Sequence, residues 1–157
     1  MNEFILSHQQ QPCALSCFST CIAMILSRPA EKVREEIHAA YREGGISLGE
    51  VLDSYGVPFT EFKTAGRNNI DKPGIWFVAV PSLNIVGIMH QVLVEYLPNE
   101  SWAVFDPNEG REDKKFYTAL GDHESRLAVQ FTYGYTVEAF IDFADLIACR
   151  MAGRLTE

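Results

Sequence analysis

The sequence predicts an α+β domain in which a helical N-terminal half packs against an antiparallel C-terminal sheet. Three observations predict it. Apolar residues favour helices from Ser16 to about Tyr55, strand-like runs begin at Gly74, and neighbouring runs are joined by short turn signals. The chain has 157 residues and no repeat, low-complexity tract or evident linker. Residues 1–157 therefore read as a single domain, able to bury roughly two thirds of its unfolded surface.

The first element covers about residues 16–26, where nearly continuous apolar residues suit a buried helix with Ser16 as its N-cap. Pro29 and a charged stretch over 31–41 predict an amphipathic helix with Val33, Ile37 and Ala40 on its inner face. Gly44 and Gly45 end it. Ser47 then caps a short helix over 48–55, stopped by Gly56. Residues 74–80 form a strand-like run closed by Pro81, and 89–97 form another before the turn signal Pro98-Asn99. Trp102–Phe105 follows, at a spacing that suits an antiparallel hairpin. Residues 126–135 alternate as a further strand. Residues 136–151 carry Val137, Phe140, Ile141, Phe143, Leu146 and Ile147, which predicts a helix packed on two sides.

Charge and cysteine content narrow the function classes. A net charge of -8 argues against a nucleic-acid partner and against docking on anionic membranes. The longest apolar run is too short to span a bilayer. Residues 1–8 lack a basic region and a long apolar core, so no secretory signal is read and a cytoplasmic chain with reduced thiols is expected. A protein exported by a dedicated machine would share these features. Cys13, Cys17 and Cys21 are four residues apart, so on a helix their side chains point the same way rather than at one another, which disfavours disulfides. The spacing is not that of a zinc knuckle, and no metal or cofactor is implied.

The informative conjunction is Gln11, Cys17, His90 and Asp106. Cys17 sits where a helix begins, and a helix N-terminus beside an imidazolium is the environment a thiolate nucleophile needs. His90 starts one strand and Asp106-Pro107 closes the next, so pairing of those strands brings imidazole and carboxylate together. In that arrangement Asp106 orients the ring and His90 protonates the leaving amine. The Cys17 N–H and the Gln11 side-chain amide would face the oxyanion, with Gln9 and Gln10 as competitors for the second role. Cys13 is the rival nucleophile, in the loop before the helix. Cys21, one turn inside, reads as core. His8, His38 and His123 read as loop or solvent-face residues, and Trp76 and Trp102 as core.

The segment Gln11, Cys17 and Thr20-Cys21-Ile22-Ala23-Met24-Ile25-Leu26 resembles the nucleophile segment of the bacteriocin-processing, double-glycine leader peptidases. These belong to the papain-like cysteine peptidase superfamily. His90-Gln91-Val92-Leu93-Val94 and Val104-Phe105-Asp106-Pro107 are similar to the second half of that family. The resemblance covers residues 8 to 117. It implies a papain-like fold, with Cys17 as nucleophile, His90 as base, Asp106 as its orienter and Gln11 as oxyanion donor. The family's Asp-Cys-Gly is here Ser16-Cys17-Phe18, which sets a bulky ring beside the nucleophile. The expected function is a cysteine peptidase acting on a peptide or protein. The alternatives are a glutamine deamidase or amidase effector with the same triad, and a non-catalytic peptide-binding module.

Overall fold

The computed structural model describes residues 3–62, 69–119, 123–132 and 134–156. Three helices come first: α1 (Cys17–Leu26), α2 (Ala30–Arg42) and α3 (Leu48–Ser54). Seven strands follow: β1 (Thr60–Glu61), β2 (Gly74–Pro81), β3 (Met89–Tyr96), β4 (Trp102–Phe105), β5 (Phe116–Thr118), β6 (Ala128–Gln130) and β7 (Thr136–Ile141). Helix α4 (Phe143–Thr156) ends the chain. The main sheet is antiparallel in the order β1-β7-β2-β3-β4, and β5 and β6 form a separate parallel pair.

Helix α1 is buried from Phe18 to Ile25, as its apolar run requires. Burial of each large side chain here, such as Ile22, Met24 or Ile25, contributes roughly 1.5–3 kcal/mol. Ser27 ends the helix in the left-handed region, its N–H bonding Met24 O at 3.4 Å. The Arg150 guanidinium of α4 donates to Met24 O (3.0 Å) and Ile25 O (2.9 Å), satisfying carbonyls that the helix end leaves open. In α2, Val33 and Ile37 are buried but Ala40 is exposed, so the inner stripe is narrower than the sequence suggests. Ser47 and Glu50 form a reciprocal capping box at α3.

Strand alternation divides the interior in two. Ile75, Phe77, Leu93, Ala139 and Ile141 join the helices in one core. Trp76, Val78, Val92, Val94, Val137 and Phe140 form a second core with Phe131 on the opposite face. A sheet covered on both faces explains why β2 and β3 read as continuous apolar runs rather than alternating ones.

The two-sided helix expected over 136–151 is corrected by this structure. Its first six residues are β7, inserted between β1 and β2, with Val137 and Phe140 facing one core and Ala139 and Ile141 the other. The helix starts only after Asp142, whose carboxylate accepts from Ala144 N at 2.9 Å in N-cap fashion. The strand expected over 126–135 shrinks to Ala128–Gln130, paired with β5 rather than with the main sheet. Among the described residues, no helix is long and apolar enough to cross a membrane.

Candidate active site

Cys17 is the first residue of α1, and the side chain before it does not cap the helix. Ser16 Oγ accepts from Cys13 N at 3.1 Å and donates to Cys13 O at 3.0 Å, closing a turn instead. No acidic residue occupies the first helical turn. The N–H of Cys17 therefore has no intrahelical acceptor, and the positive end of the helix dipole is uncompensated at the sulfur.

His90 is the second residue of β3, paired with Val80 of β2, and Asp106 directly follows β4. The β3–β4 register pairs Leu93 with Phe105, so its continuation sets Asp106 opposite Val92, on the face of the sheet that His90 shares. The side chains meet: His90 Nε2 and Asp106 Oδ1 are 2.6 Å apart, and both residues are buried. Asp106 is fully engaged. Its Oδ1 also accepts from Asn108 N (2.9 Å) and its Oδ2 from Tyr117 N (2.7 Å).

The Cys17 thiol lies within hydrogen-bonding reach of the same ring. With Nε2 held by Asp106, Nδ1 is the nitrogen left for the sulfur. Burial pulls the His90 pKa down, but hydrogen bonds with Asp106 and Cys17, and their charges, outweigh it and raise the pKa to about 9. The ring is thus an imidazolium at neutral pH, with a buried carboxylate on one side and the Cys17 sulfur on the other.

Sulfur, imidazole and carboxylate come together as the sequence expects; Gln11 takes a different part. It is buried, but its amide N–H groups donate to Cys13 O (2.8 Å) and Ala14 O (3.2 Å), and its Oε1 has no hydrogen-bond partner. Both donors are committed to shaping the loop before Cys17. The Gln11 backbone serves the site more directly, donating to Pro107 O at 2.9 Å. His8, an exposed loop residue as the sequence reads it, donates from Nε2 to Asp106 O at 2.8 Å. The N-terminal segment is thereby stitched to the Asp106 turn. Phe18 points into the core, stacked on Tyr41 at 3.6 Å and packed on Phe77, so its bulk does not reach the cleft.

The other thiols differ. Cys13 is half-buried; burial pushes its pKa up, but bonds from Ser16 and the Leu15 backbone, and the Arg34 guanidinium, bring it below its ordinary value. No histidine contributes to its environment. Cys21 is fully buried, its pKa raised by burial, and its thiol donates to Gln91 O at 3.5 Å. Among the described residues, no His, Cys, Asp or Glu cluster suits a metal ion.

A cleft opens over Cys17 and His90. Its walls are the loop before α1, the β2–β3 loop, the end of α2 and the turn after Asp106. Sequence reading missed Asn108, whose amide lies 3.4 Å from His90 Nε2, and Tyr117, whose N–H holds Asp106. Asn108 carried a signal, since Asp-Pro-Asn-Glu-Gly favours a turn that folds the amide back on the carboxylate. Tyr117 carried none. Among known proteins, no family model, no curated relative and no solved structure matches this chain.

Proposed function

We propose that this chain is a cysteine peptidase of the papain-like kind, hydrolysing a peptide bond through a thioester at Cys17. The observation that carries the reading is the His90 ring, shared between the Cys17 thiol and the buried Asp106 carboxylate at the uncapped head of α1. Cys17 Sγ attacks the acyl carbon while His90 holds the proton. The oxyanion faces the Cys17 N–H, a donor worth on the order of 3 kcal/mol in the transition state. As the C–N bond breaks, His90 gives its proton to the departing amine. Water then attacks the thioester with His90 as base, releasing the acid and restoring the thiol.

Asp106 accepts from three donors and so holds the ring in one orientation and tautomer throughout. The test is intact-mass analysis of a peptide library after incubation with the protein and with its Cys17→Ala variant. Fragment pairs formed only by the wild type support the peptidase. A gain of about one mass unit at a glutamine identifies a deamidase using the same thiol. No change in any peptide with stable binding identifies a binding module.

A further inference from the structure

The cleft differs from the rest of the surface in charge and in polarity. Among the described residues, the basic side chains Arg42, Arg111 and Lys114 line it, and no acidic residue does. They come from separate elements, Arg42 from the end of α2 and the other two from the turn after Asp106. Among the described residues, none of the three has a carboxylate within ion-pairing distance, whereas Arg28, Arg34 and Arg126 are each paired. In a chain of net charge -8, cations gathered on one cleft favour an anionic occupant there. Arg111 is held in place, its Nη1 donating to Asn108 Oδ1 at 2.8 Å, and the same Asn108 touches the His90 ring.

The rim of the same cleft also carries apolar side chains open to solvent. Leu15 is exposed beside Cys17, and Ile85, Val86 and Ile88 on the β2–β3 loop and Met89 at the start of β3 are exposed, Val86 completely. Elsewhere, exposed large apolar side chains among the described residues number only three: Phe62, Ile147 and Met151. A contiguous apolar group at the rim of a cleft marks a contact surface.

We propose that the acyl donor is a peptide carrying an acidic side chain beside an apolar one. The carboxylate faces Arg42, Arg111 and Lys114, and the apolar neighbour lies on the β2–β3 loop. This rests on the hydrolase reading for its chemistry, but the recognition can be measured without turnover. Charge complementarity selects the occupant: a neutral apolar peptide leaves three cations unpaired, and a basic one is repelled.

The experiment uses fluorescein-labelled hexapeptides of Ala and Leu with one central Glu, Gln or Lys, bound to the Cys17→Ala protein and read by anisotropy. The Glu peptide is expected to bind at least about tenfold tighter than the Gln peptide, with the Lys peptide weakest. The preference should shrink at 0.5 M salt, and in Arg42→Gln and Lys114→Gln, neither of which loses a partner in the fold. Thermal unfolding of those variants checks that the fold is intact. Val86→Ser should weaken all three peptides alike. Equal binding of the Glu and Gln peptides overturns the proposal, as does binding confined to vesicles of anionic phospholipid. Cleavage by wild type without acid preference sinks this inference and leaves the hydrolase standing. Acid-selective binding without cleavage does the reverse.

Discussion

Replacing Asp106 by Asn keeps the shape of the side chain and removes the charge on which the site turns. A His90 ring titrating near 9 rather than at 6.5 is held in its charged form by on the order of 3 kcal/mol, shared between Asp106 and Cys17. Because the folded pKa lies above the unfolded one, this stabilisation is fully present below pH 6.5 and is lost as pH rises through about 9. In Asp106→Asn the bond and charge of Asp106 are lost while burial and the Cys17 contribution remain, so the ring gives up part of that stabilisation and titrates below about 9. A second, pH-independent loss follows from the bonding. Three donors converge on the carboxylate, and an amide must turn its NH2 toward at least one of them, which costs about 1–3 kcal/mol. Urea unfolding should therefore show wild type ahead of the variant by about 4 kcal/mol at pH 6.5, narrowing to about 2 kcal/mol at pH 9.5. Ring-proton NMR should report the His90 titration directly. Turnover of a cleaved peptide should fall by roughly three to four orders of magnitude. A stability gap that does not change with pH, or a variant ring still titrating near 9, would refute the assigned coupling.

Three further outcomes follow from the same geometry. Iodoacetamide at pH 7 should label native Cys17 and spare the fully buried Cys21, and His90→Ala should slow labelling of Cys17 while leaving that of Cys13 unchanged, as read by peptide mapping. Glu95→Gln should cost about 1–3 kcal/mol, because the fully buried carboxylate accepts from both Ile5 N (2.7 Å) and Leu6 N (2.9 Å); hydrogen exchange at those two amides should accelerate. Gly74→Ala should destabilise by about 3 kcal/mol or more, since φ is +148° and a Cβ there would lie 2.3 Å from the Phe140 ring; wild-type melting behaviour would contradict this.

The parts of the fold legible in sequence are those with one dominant period or a hard stop. Helix α1 showed as an apolar run, and β2, β3 and β4 as short runs ended by Pro81, Pro98 and Asp106-Pro107. Strand β7 did not, because it is apolar toward both cores and its alternation merges into the helix that follows. Asp142 was the available marker, an N-cap residue in the middle of the supposed helix. At the site, Cys17, His90 and Asp106 were legible because each stands at an element boundary whose pairing is local in type. The donors of Gln11 were not, since their direction depends on how the turn around Ser16 presents the Cys13 and Ala14 carbonyls. The cationic rim was illegible for a similar reason: Arg42 and Lys114 lie 72 positions apart and become neighbours only through the tertiary fold.

The placement of β7 between β1 and β2 also bears on how the molecule comes into being. During synthesis β2, β3 and β4 can pair as they emerge, but the free margin of β2 must wait for residues 136–141. Until then an eight-residue, almost wholly apolar ribbon edge is open to other chains, a standing invitation to mispairing. Truncating the chain before Ile141 should therefore yield aggregates rather than a smaller folded domain.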